Sequence, residues 1–186
     1  MLTSHSVARF WIRGKVRRLV ASVCIVQALW WVWGCAKKPF DGVEYRDREV
    51  AFRLGTLPAG LQQLKSDDAL VTLQDDELGV TMMVGARCGQ DSDDIPLRAL
   101  VQHLFIQFTD RHQLSEREFQ LDGRAALEME IEAKLDGVSR HFVVTVLKKD
   151  GCVYDMVHVD GGGQGSGLVQ SRQDFRTMVS GFHTLN

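Results

Sequence analysis

The feature that most constrains this chain is a dipeptide repeated at a fixed interval. Three Asp-Gly pairs recur at intervals of 14 residues, and Asp-Gly is the preferred pair for two-residue turns of β-hairpins. The three pairs are Asp122-Gly123, Asp136-Gly137 and Asp150-Gly151. The segments between them, Arg124–Leu135 and Val138–Lys149, have the length and the apolar content of strands. The spacing therefore predicts an antiparallel meander.

Two-residue turns also fix which residues of adjacent strands face each other, so they predict two distinct faces of the sheet. The first face carries Leu127, Met129, Ile131, Phe142, Val144, Val146, Val157 and Val159. We expect it to form the core and to receive a helix. The second face is apolar at one end, which we expect to take another helix. Its other end carries Glu130, Glu132, His141, His158 and Asp160, and we expect this end to stay in contact with water.

Two segments have a helical period instead of an alternating one. Residues 96–109 place six apolar side chains on one face behind Pro96, and a second helix is predicted to begin at a cap on Ser171. Three shorter strands are predicted earlier in the chain, at Val50–Leu54, Leu70–Gln74 and Gly79–Ala86. The predicted fold class is α+β, an antiparallel meander sheet with helices packed on its faces.

The first 34 residues have the pattern of an export signal. They contain five basic residues and no acidic one, followed by an apolar run of 15 residues, Leu19–Trp33. A helix of that length reaches about 22 Å, which is short of the ~30 Å hydrocarbon core of a membrane. The remaining 17 basic and 24 acidic residues give the rest of the chain a net charge of −7. A body this acidic disfavours nucleic acid as a partner.

The residues after this run resemble a bacterial lipobox. Gly34 precedes Cys35, which would be diacylated and become the mature N-terminus, although Val32 and Trp33 depart from the usual pattern. By resemblance to lipoprotein sorting rules, Ala36 favours the outer membrane over the inner one. The alternative is an uncleaved signal anchor, in which Cys35 is an ordinary thiol. The predicted organisation is a signal peptide at 1–34, a tether at 35–48 and one α+β domain at 49–186.

Two cysteines lie beyond the lipobox, Cys88 at the end of one predicted strand and Cys152 at the start of another. In an oxidising compartment such a pair favours a disulfide, and the alternative is two independent thiols. Neither their number nor their spacing suits a zinc site.

The ionisable end of the second face allows two interpretations. The register places Glu130 and His158 in one cross-strand row and Glu132, His141 and Asp160 in the next. Such a group could bind a divalent metal or transfer protons. The alternative, which we favour, is a solvated face whose opposed charges contribute solubility and register.

The chain from about Val50 to Leu185 resembles the PsbP-like superfamily, which includes the extrinsic PsbP protein of photosystem II and the DcrB-type bacterial lipoproteins. The resemblance rests on an early Leu57-Pro58-x-Gly60, a helix after the first strands and a closing helix with Phe175, Met178, Val179 and Phe182. It implies an α/β/α sandwich and a non-enzymatic binding or assembly role.

These features favour a lipid-anchored, periplasm-facing envelope protein that binds or assembles and does not catalyse. Its expected contacts are the membrane, through Cys35, and an envelope protein of unknown identity, and no cofactor or metal is expected. The alternative is a periplasmic metal-dependent or acid/base enzyme that uses the Glu130/Glu132/His141/His158/Asp160 face. The serines lack the Gly-x-Ser-x-Gly context of a nucleophile.

Overall fold

The computed structural model describes residues 39–89 and 94–185, which form ten strands and two helices. The elements are β1 (Glu44–Arg46), β2 (Ala51–Arg53), β3 (Gln62–Leu64), β4 (Val71–Asp75), β5 (Val80–Cys88), α1 (Leu97–Leu104), β6 (Thr109–Leu121), β7 (Arg124–Leu135), β8 (Val138–Lys149), β9 (Cys152–Asp160), α2 (Ser166–Ser180) and β10 (His183–Thr184).

The strands form two antiparallel sheets. Seven of them lie in the order β3-β4-β5-β9-β8-β7-β6, and the other three in the order β1-β2-β10. Helix α1 packs on β7 and β8, and α2 packs on β9 and β5. The α+β fold class, with an antiparallel sheet and helices on its faces, is confirmed. The second sheet differs from the prediction of a single sheet, because β2 pairs with β1 and β10 instead of joining the meander.

The predicted hairpins and their register are confirmed. Leu135 faces Val138 across the middle turn, and Phe142 faces both Ile131 and Val159. Asp136 and Gly137 adopt φ values of 50° and 79°, the positive values that a tight type I′ turn requires at both of its central residues. Asp and Gly tolerate this conformation better than other residues do, which explains why the dipeptide recurs.

The seven-stranded sheet separates two apolar cores. On one side, Leu100 and Val101 of α1 pack against the predicted apolar face, including Leu127, Val144 and Val146. On the other side, the second core combines β8, β9, α2 and the three-stranded sheet. Its members include Val143, Met156, Phe175, Met178 and Phe52. The arrangement is a sandwich in which the long sheet is the middle layer.

Two predicted helix boundaries are wrong. Helix α1 ends at Leu104, and from Thr109 the chain continues as β6, a strand that the sequence did not reveal. Every position of β6 except Leu121 is exposed or half-buried, so β6 has no alternating apolar pattern. Helix α2 begins at Ser166, more than one turn before the expected cap, so Ser171 lies inside the helix.

The folded unit begins earlier than the predicted domain start at residue 49. The backbone N–H of Arg46 donates a hydrogen bond of 2.8 Å to the carbonyl oxygen of Pro39, and Phe40 is 2% exposed. Residues 39–48 therefore belong to the body of the protein, and any tether ends at Lys38. The predicted signal peptide and Cys35 lie outside the described residues. Within those residues, neither helix has the length and hydrophobicity needed to cross a membrane.

Candidate functional site

The ionisable residues predicted to share a face do come together. Glu130 pairs across Val143 with His158, and Glu132 pairs across His141 with Asp160 in the adjacent row. The expectation that this end of the sheet contacts water is wrong, because α2 lies over it. His158 is 0% exposed, Asp160 1% and His141 4%. Glu130 is half-buried, and Glu132 alone of the five is exposed.

Helix α2 contributes three polar side chains that the sequence analysis did not assign to this site, Ser171, Arg172 and Arg176. Together with Glu128, Glu130, His141, His158 and Asp160 they form what we term the buried polar cluster. Arg172 and Arg176 are four residues apart and so share one face of α2. This spacing, opposite a sheet face rich in carboxylates, is the signal that could have revealed the contact.

Asp160 and Arg172 form the central ion pair of the buried polar cluster. Arg172 Nε lies 2.8 Å from Asp160 Oδ2, and Arg172 Nη2 lies 3.2 Å from Oδ1. The backbone N–H of Gly162 donates a further hydrogen bond of 2.6 Å to Oδ1. Burial raises the pKa of Asp160, but these bonds and the nearby positive charge outweigh burial and hold that pKa below its usual range. Asp160 is therefore ionised at neutral pH, and both of its carboxylate oxygens accept hydrogen bonds.

Arg176 forms a second ion-paired group at the edge of the cluster. Its Nε lies 3.0 Å from Glu128 Oε1, and its Nη2 contacts Glu130 Oε1. Glu128 also accepts hydrogen bonds from Arg117 of β6, at 3.1 and 3.0 Å. Burial lowers the pKa of Arg176, but the two glutamates outweigh burial and raise it above its usual range. The group thus connects α2, β7 and β6.

The two histidines of the cluster are neutral at pH 7. Burial lowers the pKa of His158 to about 4, and it lowers the pKa of His141 as well. His158 Nε2 lies 3.0 Å from Ser171 Oγ. The Nδ1 atoms of His158 and His141 lie 3.8 and 4.0 Å from Asp160 Oδ2, which is beyond hydrogen-bond distance.

The buried polar cluster lacks the geometry of a catalytic centre. Ser171, His158 and Asp160 have the order of a nucleophile, a base and an acid. However, Ser171 is buried, and the carboxylate of Asp160 is bound to Arg172 rather than to the histidine. Among residues 39–89 and 94–185, no three or more His, Cys, Asp or Glu side chains are arranged to hold a metal ion. The contacts of the cluster instead attach α2 to the sheet.

The predicted disulfide is present. Cys88 and Cys152 face each other in the pairing of β5 with β9 and are bonded across 64 residues of sequence. Cys152 is buried and Cys88 is exposed. The bond joins the end of β5 to the start of β9, and so connects the early strands to the meander.

Accessible concave surface is found on the other side of the sheet, where two clefts flank α1. The first has a volume of about 370 Å³, and the second about 360 Å³. Volumes of this size lie at the lower end of the range for small-molecule sites. Residues lining the first are Arg87, Cys88, Gly89, Ile95, Leu100, His103, Leu104 and Val153. Residues lining the second are Val101, Gln102, Phe105, Arg111, Gln113, Met129 and Ile131. Both clefts have apolar walls and a few polar side chains, which suits binding.

Comparison with known proteins identifies similar folds but does not assign the chain to a family. No protein-family model matches this chain, and no curated protein does. Among solved structures, the cyanobacterial PsbP (CyanoP) from Synechocystis sp. PCC 6803 has a TM-score of 0.55 at 13% identity, over 83% of this chain and 99% of that one. LpqN, described as involved in cell envelope biogenesis of Mycobacterium tuberculosis, has a TM-score of 0.52 at 12% identity, over 76% and 88%.

A third similar structure comes from a eukaryote. The Ran-binding protein Mog1p of Saccharomyces cerevisiae has a TM-score of 0.53 at 11% identity, over 74% of this chain and 90% of that one. Identities this low establish a shared fold and nothing about function. The expected PsbP-like fold is thereby confirmed.

Proposed function

We propose that this protein is a lipid-anchored module of the bacterial cell envelope, of the DcrB type, that binds or assembles other molecules and does not catalyse a reaction. The burial of the predicted acid/base face under α2 carries this proposal. His141, His158 and Asp160 are enclosed, and Asp160 is held in an ion pair. The clefts beside α1, in contrast, are open to solvent and combine apolar with polar side chains, as binding surfaces do.

The anchoring part of the proposal rests on the sequence. A basic segment, an apolar run too short for a permanent span and the Gly34-Cys35 junction together fit a lipidated export signal. The disulfide supports an oxidising compartment such as the periplasm. The fold shared with LpqN, a protein described as involved in cell envelope biogenesis, is compatible with this location. We propose that Cys35 carries the lipid and, from Ala36, that the outer membrane is the destination.

Replacing Cys35 tests the anchor. The Cys35→Ser variant should remain an unprocessed precursor and yield no lipidated N-terminal peptide by mass spectrometry, because serine cannot accept the diacylglycerol thioether. Cys24→Ser is the matched control, since Cys24 follows the bulky Val23 and should not be a modification site. An unmodified Cys35 in the wild-type protein, or a normal lipidated peptide in Cys35→Ser, would contradict the proposal.

Thermal unfolding with added metal tests the non-catalytic part. Zinc, copper or calcium should leave the melting temperature unchanged, because His141, His158 and Asp160 are enclosed and His158 and Asp160 already have partners. A metal that binds the folded protein and is present at about 100 times its dissociation constant would add about 2.7 kcal/mol to the free energy of unfolding. A shift of that size that disappears in His141→Ala would support the metal-dependent enzyme instead.

A further inference from the structure

The point where the chain enters the folded body is only a few residues after Cys35 in the sequence. Pro39 and Phe40 are already part of the body, so residues 36–38 are all that separate Cys35 from it. An extended chain spans at most about 3.6 Å per residue, so the five steps from Cys35 to Phe40 cover no more than about 18 Å. The 14-residue tether first expected would have reached about 50 Å. If Cys35 carries lipid, as proposed above, the body lies directly against the bilayer.

The surface at this entry point is the outer side of the three-stranded sheet. Tyr45, Phe52 and Thr184 point into the protein, while the residues that alternate with them point outward. We term the outward strand residues Glu44, Arg46, Arg53 and His183, together with Val43, which is exposed in the turn before β1, the anchor-proximal face. Glu44 pairs in register with Arg53, which in turn faces His183. Val43, in the turn before β1, is 51% exposed.

The charge of this face is opposite to that of the body. Arg46 and Arg53 share the single acidic partner Glu44, and more than half of each arginine side chain is exposed. Lys37 and Lys38 come directly before the body, whereas the chain after Cys35 has a net charge of −7. At the rim, Asp41 and Asp47 accept hydrogen bonds from backbone N–H groups of their own turns. An anionic surface therefore attracts this face and repels the remainder.

We propose that the anchor-proximal face docks on the headgroups of anionic phospholipids and sets the orientation of the body on the membrane. The guanidinium groups of Arg46 and Arg53 contact lipid phosphates, and Val43 enters the headgroup region. Basic residues within a Debye length of an anionic membrane are attracted to its surface. The short connection to Cys35 keeps the anchor-proximal face close to the membrane surface. The positive charges of this face determine which side of the body contacts the membrane.

A single thiol at position 43 reports this contact. With Cys35 lipidated and Cys88 bonded to Cys152, the mature chain has no free cysteine, so Val43→Cys can be labelled alone with an environment-sensitive fluorophore. The lipidated protein is reconstituted in vesicles of phosphatidylethanolamine and phosphatidylglycerol that contain headgroup-nitroxide lipid. Quenching at position 43 should be at least twice that of Val138→Cys, a control of equal exposure (50%) at the tip of the β7–β8 hairpin. Equal quenching at the two positions would overturn the proposal.

Neutralising the arginines tests the electrostatic part. Arg46→Gln/Arg53→Gln should reduce the quenching at position 43 in anionic vesicles to the level found in purely zwitterionic ones. Arg98→Gln/Arg140→Gln removes the same charge from exposed positions away from this face and should leave the quenching unchanged. If both double substitutions reduced the quenching at position 43 equally, the proposal that charge selects this face would be overturned.

The mass of the N-terminal peptide separates the two proposals. Without lipid on Cys35, the anchoring proposal fails and this inference fails with it. With lipid present but no preference for position 43, the inference alone is overturned.

Discussion

Asp160 is the residue on which the contact between α2 and the sheet depends most. It is a buried carboxylate, and its two oxygens accept hydrogen bonds from Arg172 and from the backbone of Gly162. A buried ion pair contributes little net stability compared with apolar residues, but removing one partner leaves a charge without compensation. The stability of α2 on the sheet is therefore most sensitive to changes at Arg172.

Arg172→Leu should lower the free energy of unfolding by about 3–5 kcal/mol, because the leucine leaves the Asp160 carboxylate buried without its cation. Arg98→Leu, which breaks the exposed ion pair with Glu116, should cost less than about 1 kcal/mol. Urea denaturation of both variants measures the difference. Similar losses for the two would show that Asp160 is not enclosed.

His158 should make the protein less stable as the pH falls from about 6.5 to about 4. The unfolded chain binds a proton with a pKa of 6.5 and the folded chain with a pKa of about 4, so stability is complete above this window and decreases through it. The loss approaches about 3 kcal/mol. His158→Gln, which cannot titrate, should flatten the curve of melting temperature against pH in this window. An unchanged curve would assign the pH dependence to other groups.

Hydrophobic pattern could not reveal that the ionisable face is buried. The rows that contain His158 and Asp160 followed from the turn register alone, because side chains alternate strictly along a strand. The polar side of α2 covers the polar end of the sheet. Ion pairs and hydrogen bonds between the two, rather than apolar contacts, make the burial of these ionisable groups possible. Charged residues on α2 and on the sheet predict solvent exposure when each element is considered alone. They predict a buried contact only when each charge is matched to an opposite charge on the other element.

At the scale of elements, the strands that follow an Asp-Gly turn of the repeat were predictable, and the edge strand β6, which precedes the first of these turns, was not. The turns define both the ends and the pairing of β7, β8 and β9. β6 lies at the edge of the sheet with Asp110, Arg111 and Glu118 exposed, and its pairing with β7 shifts register twice. Charges and bulges of this kind protect an edge from pairing with other chains, and they also remove the alternation that marks a strand.

The end of β2 and the end of α2 approach each other closely at Gly55. A Cβ atom there would lie 2.6 Å from the carbonyl oxygen of Met178 and 2.7 Å from that of Thr177. Gly55→Ala should therefore cost about 1–3 kcal/mol, because the contact is with backbone that cannot rotate away. At Gly161 the nearest atom is a side-chain nitrogen at 3.7 Å, and Gly161→Ala should change stability by less than about 0.5 kcal/mol. Thermal unfolding of the two variants measures the difference. Equal losses of stability would contradict the close approach of Gly55 to the end of α2.

At the scale of the whole molecule, the Cys88–Cys152 bond restrains the unfolded chain. It closes a loop of 64 residues, for which chain entropy predicts about 4 kcal/mol of stabilisation. Cys88→Ala/Cys152→Ala should lower the melting temperature by roughly 10 °C under oxidising conditions. Reductant should lower the wild type to the same temperature and leave the variant unchanged. A variant as stable as the oxidised wild type would show that the bond constrains little.

The position of β5 in the sheet has a consequence for how fast the protein folds. β6 to β9 each pair with the strand that precedes or follows them, so three hairpins can form from local contacts within microseconds. β5 must instead find β9 after α1 and the entire meander have intervened, and contacts this distant in sequence are slow to form. We expect docking of β5 to limit the folding rate. Mutations in the β5–β9 ladder should then slow folding, whereas mutations that weaken other contacts should chiefly accelerate unfolding.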